Sequence, residues 1–162
     1  MTAEKRGDLQ VLINMWHGQD PYMNTCIHAH PCIVLQLERF PALAMKQNTP
    51  VDFSRCEVHI PIFNNSTGRD VSWTQYRMVA ILCHFGLEPE SGHYQCLFLS
   101  SGSSWMTDDG RSAVRCPVVD PIRRSVYLFW LVPQDDLSHW WRRPIEEQTV
   151  DLSDLLATAF SN

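Results

Sequence analysis

The chain has 162 residues, about one domain's worth, and is 44% hydrophobic with six Trp, a composition that suits a globular protein with a real core. A net charge of -5 and a pI near 5.7 argue against a nucleic-acid surface. No run is long enough to span a bilayer, and the charged stretch from Met1 to Leu9 is not a signal peptide, so no membrane role is expected.

Six cysteines are spread irregularly without a C-x-x-C pair, so neither a zinc ribbon nor a disulfide scaffold is expected. Reduced thiols in an intracellular compartment, cytoplasm or nucleus, are the simplest reading. In chain order, Leu9 to Trp16 is apolar and suits a short helix or strand. Cys26-Ile27-His28-Ala29-His30-Pro31-Cys32 would turn Cys26, His28, His30 and Cys32 to one side of an extended chain. Ligands two residues apart on a flat strand do not converge tetrahedrally, and Pro31 interrupts the line, so no metal site is assigned there. Ile33 to Phe40 reads as a buried strand stopped by Pro41.

Val58 to Phe63 is strand-like and ends in a turn at Asn64 to Gly68; Trp73 to Cys83 is a further buried strand. The stretch His84 to Tyr94 follows, a loop with Gly, Pro, two acids and histidines at its edges, and Tyr94 to Ser100 returns as a strand. Gly92 beside His93 would allow close backbone approach to a ligand, and a histidine at a strand edge suits general-base chemistry near neutral pH. Trp105-Met106-Thr107-Asp108-Asp109-Gly110 sets two carboxylates beside a large aromatic. Val114 to Val119 suits a short strand, and Ser125 to Val132 is a final strand closed by Pro133. Strands at short intervals without a β-α-β rhythm predict an α+β fold built on a mostly antiparallel sheet. Past it, Leu152, Leu155, Leu156, Ala159 and Phe160 fall at helical spacing and predict a short C-terminal amphipathic helix.

These motifs, in order, resemble the C-terminal half of the ubiquitin-specific protease domain, the papain-like deubiquitinases. Pro31 to Phe40 is similar to that family's strand ending in Arg-Phe. Tyr76 to Gly86 followed by Gly92-His93-Tyr94 resembles its histidine box. Trp105 to Asp109 resembles its Trp and acidic residue, and Tyr127-Leu128-Phe129-Trp130 its aromatic closing strand. Each motif alone is common; the ordered set is specific.

The resemblance implies a sheet like the palm half of a papain-like cysteine protease. Residues 9–132 would be a partial catalytic domain carrying the histidine and the acid, and 133–162 an extension bearing the short helix. It implies His93 as the base and Asp109 as the acid that orients it, Asp109 being chosen by its distance from Trp105 and Asp108 being the alternative. His84, Gly86, Gly92 and Tyr94 would line the cleft for the ubiquitin tail, the loop from Phe85 to Ser91 would gate it, and Tyr94 and Trp105 would pack around the histidine. The only triplet resembling the nucleophile box is Asn24-Thr25-Cys26. No Gly precedes it and no helix follows it, so Cys26 is a poor match for a thiol activated at a helix N-terminus. No cofactor and no metal are implied. The partners implied are ubiquitin, ubiquitinated proteins and an N-terminal half of the same kind of domain. Two other classes stay open, a non-catalytic ubiquitin-binding module and, last, a metal-binding interaction domain on Cys26 to Cys32. A half-domain should also expose apolar surface unless the tail helix covers it.

Overall fold

A computed structural model describes residues 7–19, 23–40, 46–64, 70–88, 90–100 and 102–134; the expected helix over 152–160 lies outside them. The molecule is built on one strand, β5, which runs 19 residues from Asp70 to Glu88. Along one edge it pairs first with β4 (Glu57–Asn64) and then with β6 (Ser91–Ser100), both antiparallel. Along its other edge lies β9 (Val126–Pro133), so Tyr76 sits between Val58 of β4 and Pro133 of β9. Short strands extend both flanks: β2 (Ile33–Gln36) beyond β9, and β7 (Ser103–Thr107) with β8 (Val114–Arg115) beyond β6. Among the described residues the main sheet has seven strands.

Period-two alternation divides this sheet into a core face and an outer face. Tyr76, Met78, Ile81, Cys83, Leu97, Leu99, Phe129 and Leu131 are all buried on the core face. Each large apolar side chain removed from water there contributes about 1.5–3 kcal/mol. Among the described residues two helices cover that face. The first, α1 (Leu9–His17), buries Leu9 and Ile13. It is capped by Asp8, whose carboxylate accepts from Gln10 N at 2.7 Å. Gln10 then clamps the free edge of β4, accepting from His59 N at 2.7 Å and donating to His59 O at 3.0 Å. The second, α2 (Asp120–Ser125), has Pro121 in its first turn and buries Ile122. A small parallel pair, β1 (Gly7–Asp8) with β3 (Val51–Asp52), completes the described elements.

Several expectations are corrected. The strand through Phe40 ends at Gln36, because Arg39 turns inward. Its guanidinium, buried in the fold, donates to the carbonyls of Val126, Gln47, Thr49 and Arg123 at 2.9, 2.9, 2.6 and 3.2 Å. The segment 114–119 is strand only over Val114–Arg115, and Ser125 ends α2 rather than starting the last strand. The span from His84 to Tyr94 is not a loop: β5 and β6 run on as a hairpin, His84 opposite Tyr94 and Phe85 opposite His93, closing at Glu88 and Ser91 with a bulge between. Cys26 to Cys32 is not extended either. Cys26 forms an isolated bridge to Ile62, and the chain bends at Ile27 and His28.

Candidate active site

Strand pairing places the histidine. His93 lies on β6 opposite Phe85, and with Gln95, Leu97 and Leu99 it shares the core face, just where the core gives way to solvent. Its side chain is 41% exposed. Trp105 and Met106 on β7 pair with Phe98 and Leu97, which carries the chain past Thr107 and delivers Asp108 and Asp109 to the same end of the sheet. The next turn is held by a 2.8 Å bond from Arg111 N to Asp108 O. Asp109 takes φ 40°, the left-handed region that Asp tolerates better than most residues.

The two ring nitrogens of His93 face different acids. Nε2 is hydrogen-bonded to Asp108 Oδ1, while Nδ1 lies 3.6 Å from Asp109 Oδ2. The Asp108 side chain is 29% exposed and that of Asp109 is 77% exposed. Asp108 is therefore the acid hydrogen-bonded to His93, and Asp109, the first choice by distance from Trp105, is the more exposed carboxylate beside it. The bond with His93 holds the Asp108 carboxyl below its ordinary range, with further help from Gln95 and from Arg111, whose Nη1 is 3.5 Å from Oδ2; partial burial opposes the shift. With Nε2–H donated to a carboxylate, the Nδ1 lone pair is the one free to take a proton. Gln95 and Arg111 were not singled out in the sequence. Gln95 was findable two residues along the strand from His93, hence on its face; Arg111 depends on the turn.

The expected cleft residues divide. Tyr94 is exposed, but it lies on the outer face with its ring 4.6 Å from that of His84. Trp105 pairs with Phe98 on that same outer face, so neither packs around His93. His84 is fully buried (0% exposed) and cannot touch a bound peptide in this conformation. Gly86 and Gly92 are required from within: a Cβ on Gly92 would lie 2.7 Å from Phe85 O and 2.8 Å from His84 Nε2, and one on Gly86 would lie 2.9 Å from His84 Cε1.

All six cysteines are unpaired, and none is placed beside His93 as an accessible thiol. Cys32 precedes Ile33 opposite Leu131, Cys56 O accepts from Met78 N and Cys116 N donates to Ser104 O, all well along the sheet from the Phe85–His93 pair. Cys26 sits outside β4 at the level of Ile62, which pairs with Ser72, whereas His93 pairs with Phe85. That interval is about 13 residues of β5, on the order of 40 Å along the strand, and burial raises the Cys26 thiol rather than activating it. Cys83, the diagonal neighbour of His93 across β5 and β6, is fully buried and pushed up to about 12. Cys96 points to the opposite face and is pushed up to about 11. Among the described residues the one group with three potential metal ligands close together is His93, Asp108 and Asp109 themselves, so the Cys26 to Cys32 segment does not assemble one.

The pattern of a histidine on a strand hairpin, an acid from the next strand and an aromatic closing strand matches a known family. Residues 22–130 match the ubiquitin carboxyl-terminal hydrolase family model, and the chain belongs to that family. It is 28% identical over 113 residues to mouse ubiquitin carboxyl-terminal hydrolase 17-like protein E, covering 68% of this chain and 20% of that protein. To mouse 17-like protein B it is 26% identical over 106 residues, 65% of this chain and 22% of the relative. The chain thus spans about a fifth of the curated relatives it matches. Its fold matches the yeast SAGA DUB module with a TM-score of 0.61 at 17% identity, over 81% of this chain and 32% of that one. It also matches the Ubp8/Sgf11/Sus1/Sgf73 module bound to ubiquitin aldehyde, with a TM-score of 0.57 at 15% identity, over 82% of this chain and 34% of that one. The mostly antiparallel, palm-like architecture expected from the sequence is the fold of these deubiquitinase structures.

Proposed function

We propose that this chain supplies the histidine and acid half of a thiol-dependent deubiquitinase that cleaves the amide after the C-terminal glycine of ubiquitin. The observation that carries the reading is the orientation of His93, with Nε2 hydrogen-bonded to Asp108 and Nδ1 without a hydrogen bond, 3.6 Å from the solvated Asp109 carboxylate. In the reaction, Nδ1 takes the proton of a cysteine thiol as sulfur attacks the carbonyl carbon. The imidazolium, steadied by Asp108, then returns that proton to the leaving amine, giving a thioester and a free amine. Water hydrolyses the thioester by the same route and regenerates the thiol. Because none of the six cysteines reaches His93, the thiol comes from outside this chain, either from a preceding part of a longer domain or from a second polypeptide.

Ubiquitin is the partner this reading requires, and a DUB module bound to ubiquitin aldehyde shares the fold. The six unpaired cysteines favour a reducing compartment, cytoplasm or nucleus. The missing thiol also favours a second reading, a ubiquitin-binding module without chemistry. Both are tested by titrating the isotope-labelled 162-residue chain with ubiquitin and with ubiquitin lacking its last two glycines. Intact ubiquitin should shift the resonances of Gly92, His93 and Tyr94, and the truncated form should not. Equal effects from both, or none from either, would contradict a tail cleft at this hairpin.

A further inference from the structure

One histidine is left over by the site. The His84 imidazole lies on the opposite face of the sheet from His93, fully buried, and neither ring nitrogen reaches a well-aligned hydrogen-bond partner. Phe40 meets it edge-on at 5.3 Å and Tyr94 tilts over it at 4.6 Å. On its remaining sides lie Gly86 and Gly92, at distances that leave no space for a Cβ on either. The ring is thus a wedge set against the point where the two strands of the His93 hairpin meet, Gly86 of β5 against Gly92 of β6, and Gly92, at φ 140°, is bonded directly to His93.

Burial and a facing cation disfavour the charged form of this ring. The charged group facing it is a cation: Lys46, itself buried, donates its ammonium to the His84 carbonyl. Arg39 lies behind Lys46, Cys83 is the neighbour on β5, β6 contributes Tyr94 and the Ser91 backbone, and Tyr127 of β9 closes the cluster against Phe40 and Tyr94. The Ser91 backbone favours the charged ring, but burial and Lys46 outweigh it, and among the described residues no carboxylate offsets them. A second positive charge would have to enter an apolar pocket that already holds one, so protonation requires the hairpin to open.

We propose that His84 is a positioning residue and acid-sensitive latch: its neutral ring sets the Gly86–Gly92 approach that keeps His93 on Asp108, and its protonation releases the hairpin and disassembles the pair. Above the ordinary imidazole pKa of about 6.5 both folded and unfolded chains hold a neutral ring. Below it the unfolded chain takes a proton that the buried ring resists, so the latched state loses stability as pH falls. The latch deepens the proposed function but is testable without ubiquitin or a thiol, so its failure and the failure of that reading are separable.

The experiment is a pH titration of the full 162-residue chain by NMR. It follows the ring signals of His84 and the downfield Nε2 proton that His93 donates to Asp108, in wild type, His84→Phe and His84→Ala. In wild type the His84 ring should take its proton in the same transition that abolishes the His93 signal. His84→Phe keeps the wedge and cannot be protonated, so it should retain the His93 signal to a pH lower by at least about one unit. His84→Ala should lose the signal already at neutral pH. The latch is refuted if His84 titrates while the His93 signal is unchanged, or if folded His84→Phe loses the signal at the wild-type pH. If His84→Phe does not fold, coincidence or separation of the two wild-type transitions decides the matter alone.

Discussion

At His93 the neighbours of the two nitrogens predict unequal effects of two adjacent substitutions. Asp108→Asn removes the charge that accepts from Nε2, so the downfield ring proton should vanish and the population of the Nδ1-free tautomer should fall. Asp109→Asn, 3.6 Å away and mostly solvated, should change neither by much; ring nitrogen shifts measure both. The carboxyl of Asp108 is held below its ordinary range, so its share of stability is complete above the unfolded value of about 3.9 and is lost only as pH falls through the folded one. Backbone strain separates the two acids again. Asp109→Gly should be neutral or stabilising, and Asp109→Val destabilising by about 1 kcal/mol in urea unfolding, because a β-branched residue resists φ 40°.

At the scale of elements, the hairpin and the Arg39 staple carry the site. Gly92→Ala would set a Cβ 2.7 Å from a carbonyl oxygen, and should cost about 2 kcal/mol or more by denaturant unfolding and shift the His93 amide resonance. Arg39→Met removes a charged donor from four backbone carbonyls spread over the segment before β3, α2 and β9, and should cost about 3 kcal/mol. A loss below about 1 kcal/mol would mean water replaces the guanidinium. The strands Trp73–Cys83 and Tyr94–Ser100 and most of β9 were legible in the sequence because long apolar runs bounded by Gly and Pro leave few alternatives. The continuation of β5 and β6 as a hairpin through His84 to Tyr94 was not, since its Gly, Pro and acids read as a loop. The helix α2 was not, since six residues with a proline and two arginines show no period. Distance from Trp105 could not choose between Asp108 and Asp109. That choice depends on where β7 stops and on the left-handed backbone of Asp109, neither of which spacing reveals. Likewise the histidine box identifies His84 but not its face; only the register opposite Tyr94 turns it away from His93.

For the whole molecule, register sets Val34, Trp130, Ala80, Phe98 and Trp105 in one row across the outer face of the sheet. Val34 and Trp105 are exposed, and the described helices pack on the other face. Such a row favours association. The chain should self-associate with rising concentration in light scattering, and Trp105→Glu should lower that tendency while leaving the His93 signals in place. An unchanged monodisperse monomer at all concentrations would mean the row is covered.

On the proposed function, this chain holds the base and the acid of a deubiquitinase but not its thiol. The most direct measurement is reaction of the folded 162-residue chain with a ubiquitin probe carrying a thiol-trapping electrophile at its C-terminus, followed by peptide mapping of all six cysteines. The expected result is no adduct on any cysteine. A ubiquitin adduct that maps to one cysteine, and is lost when that cysteine becomes Ala or His93 becomes Ala, would show that the chain carries its own nucleophile and overturn the proposed function.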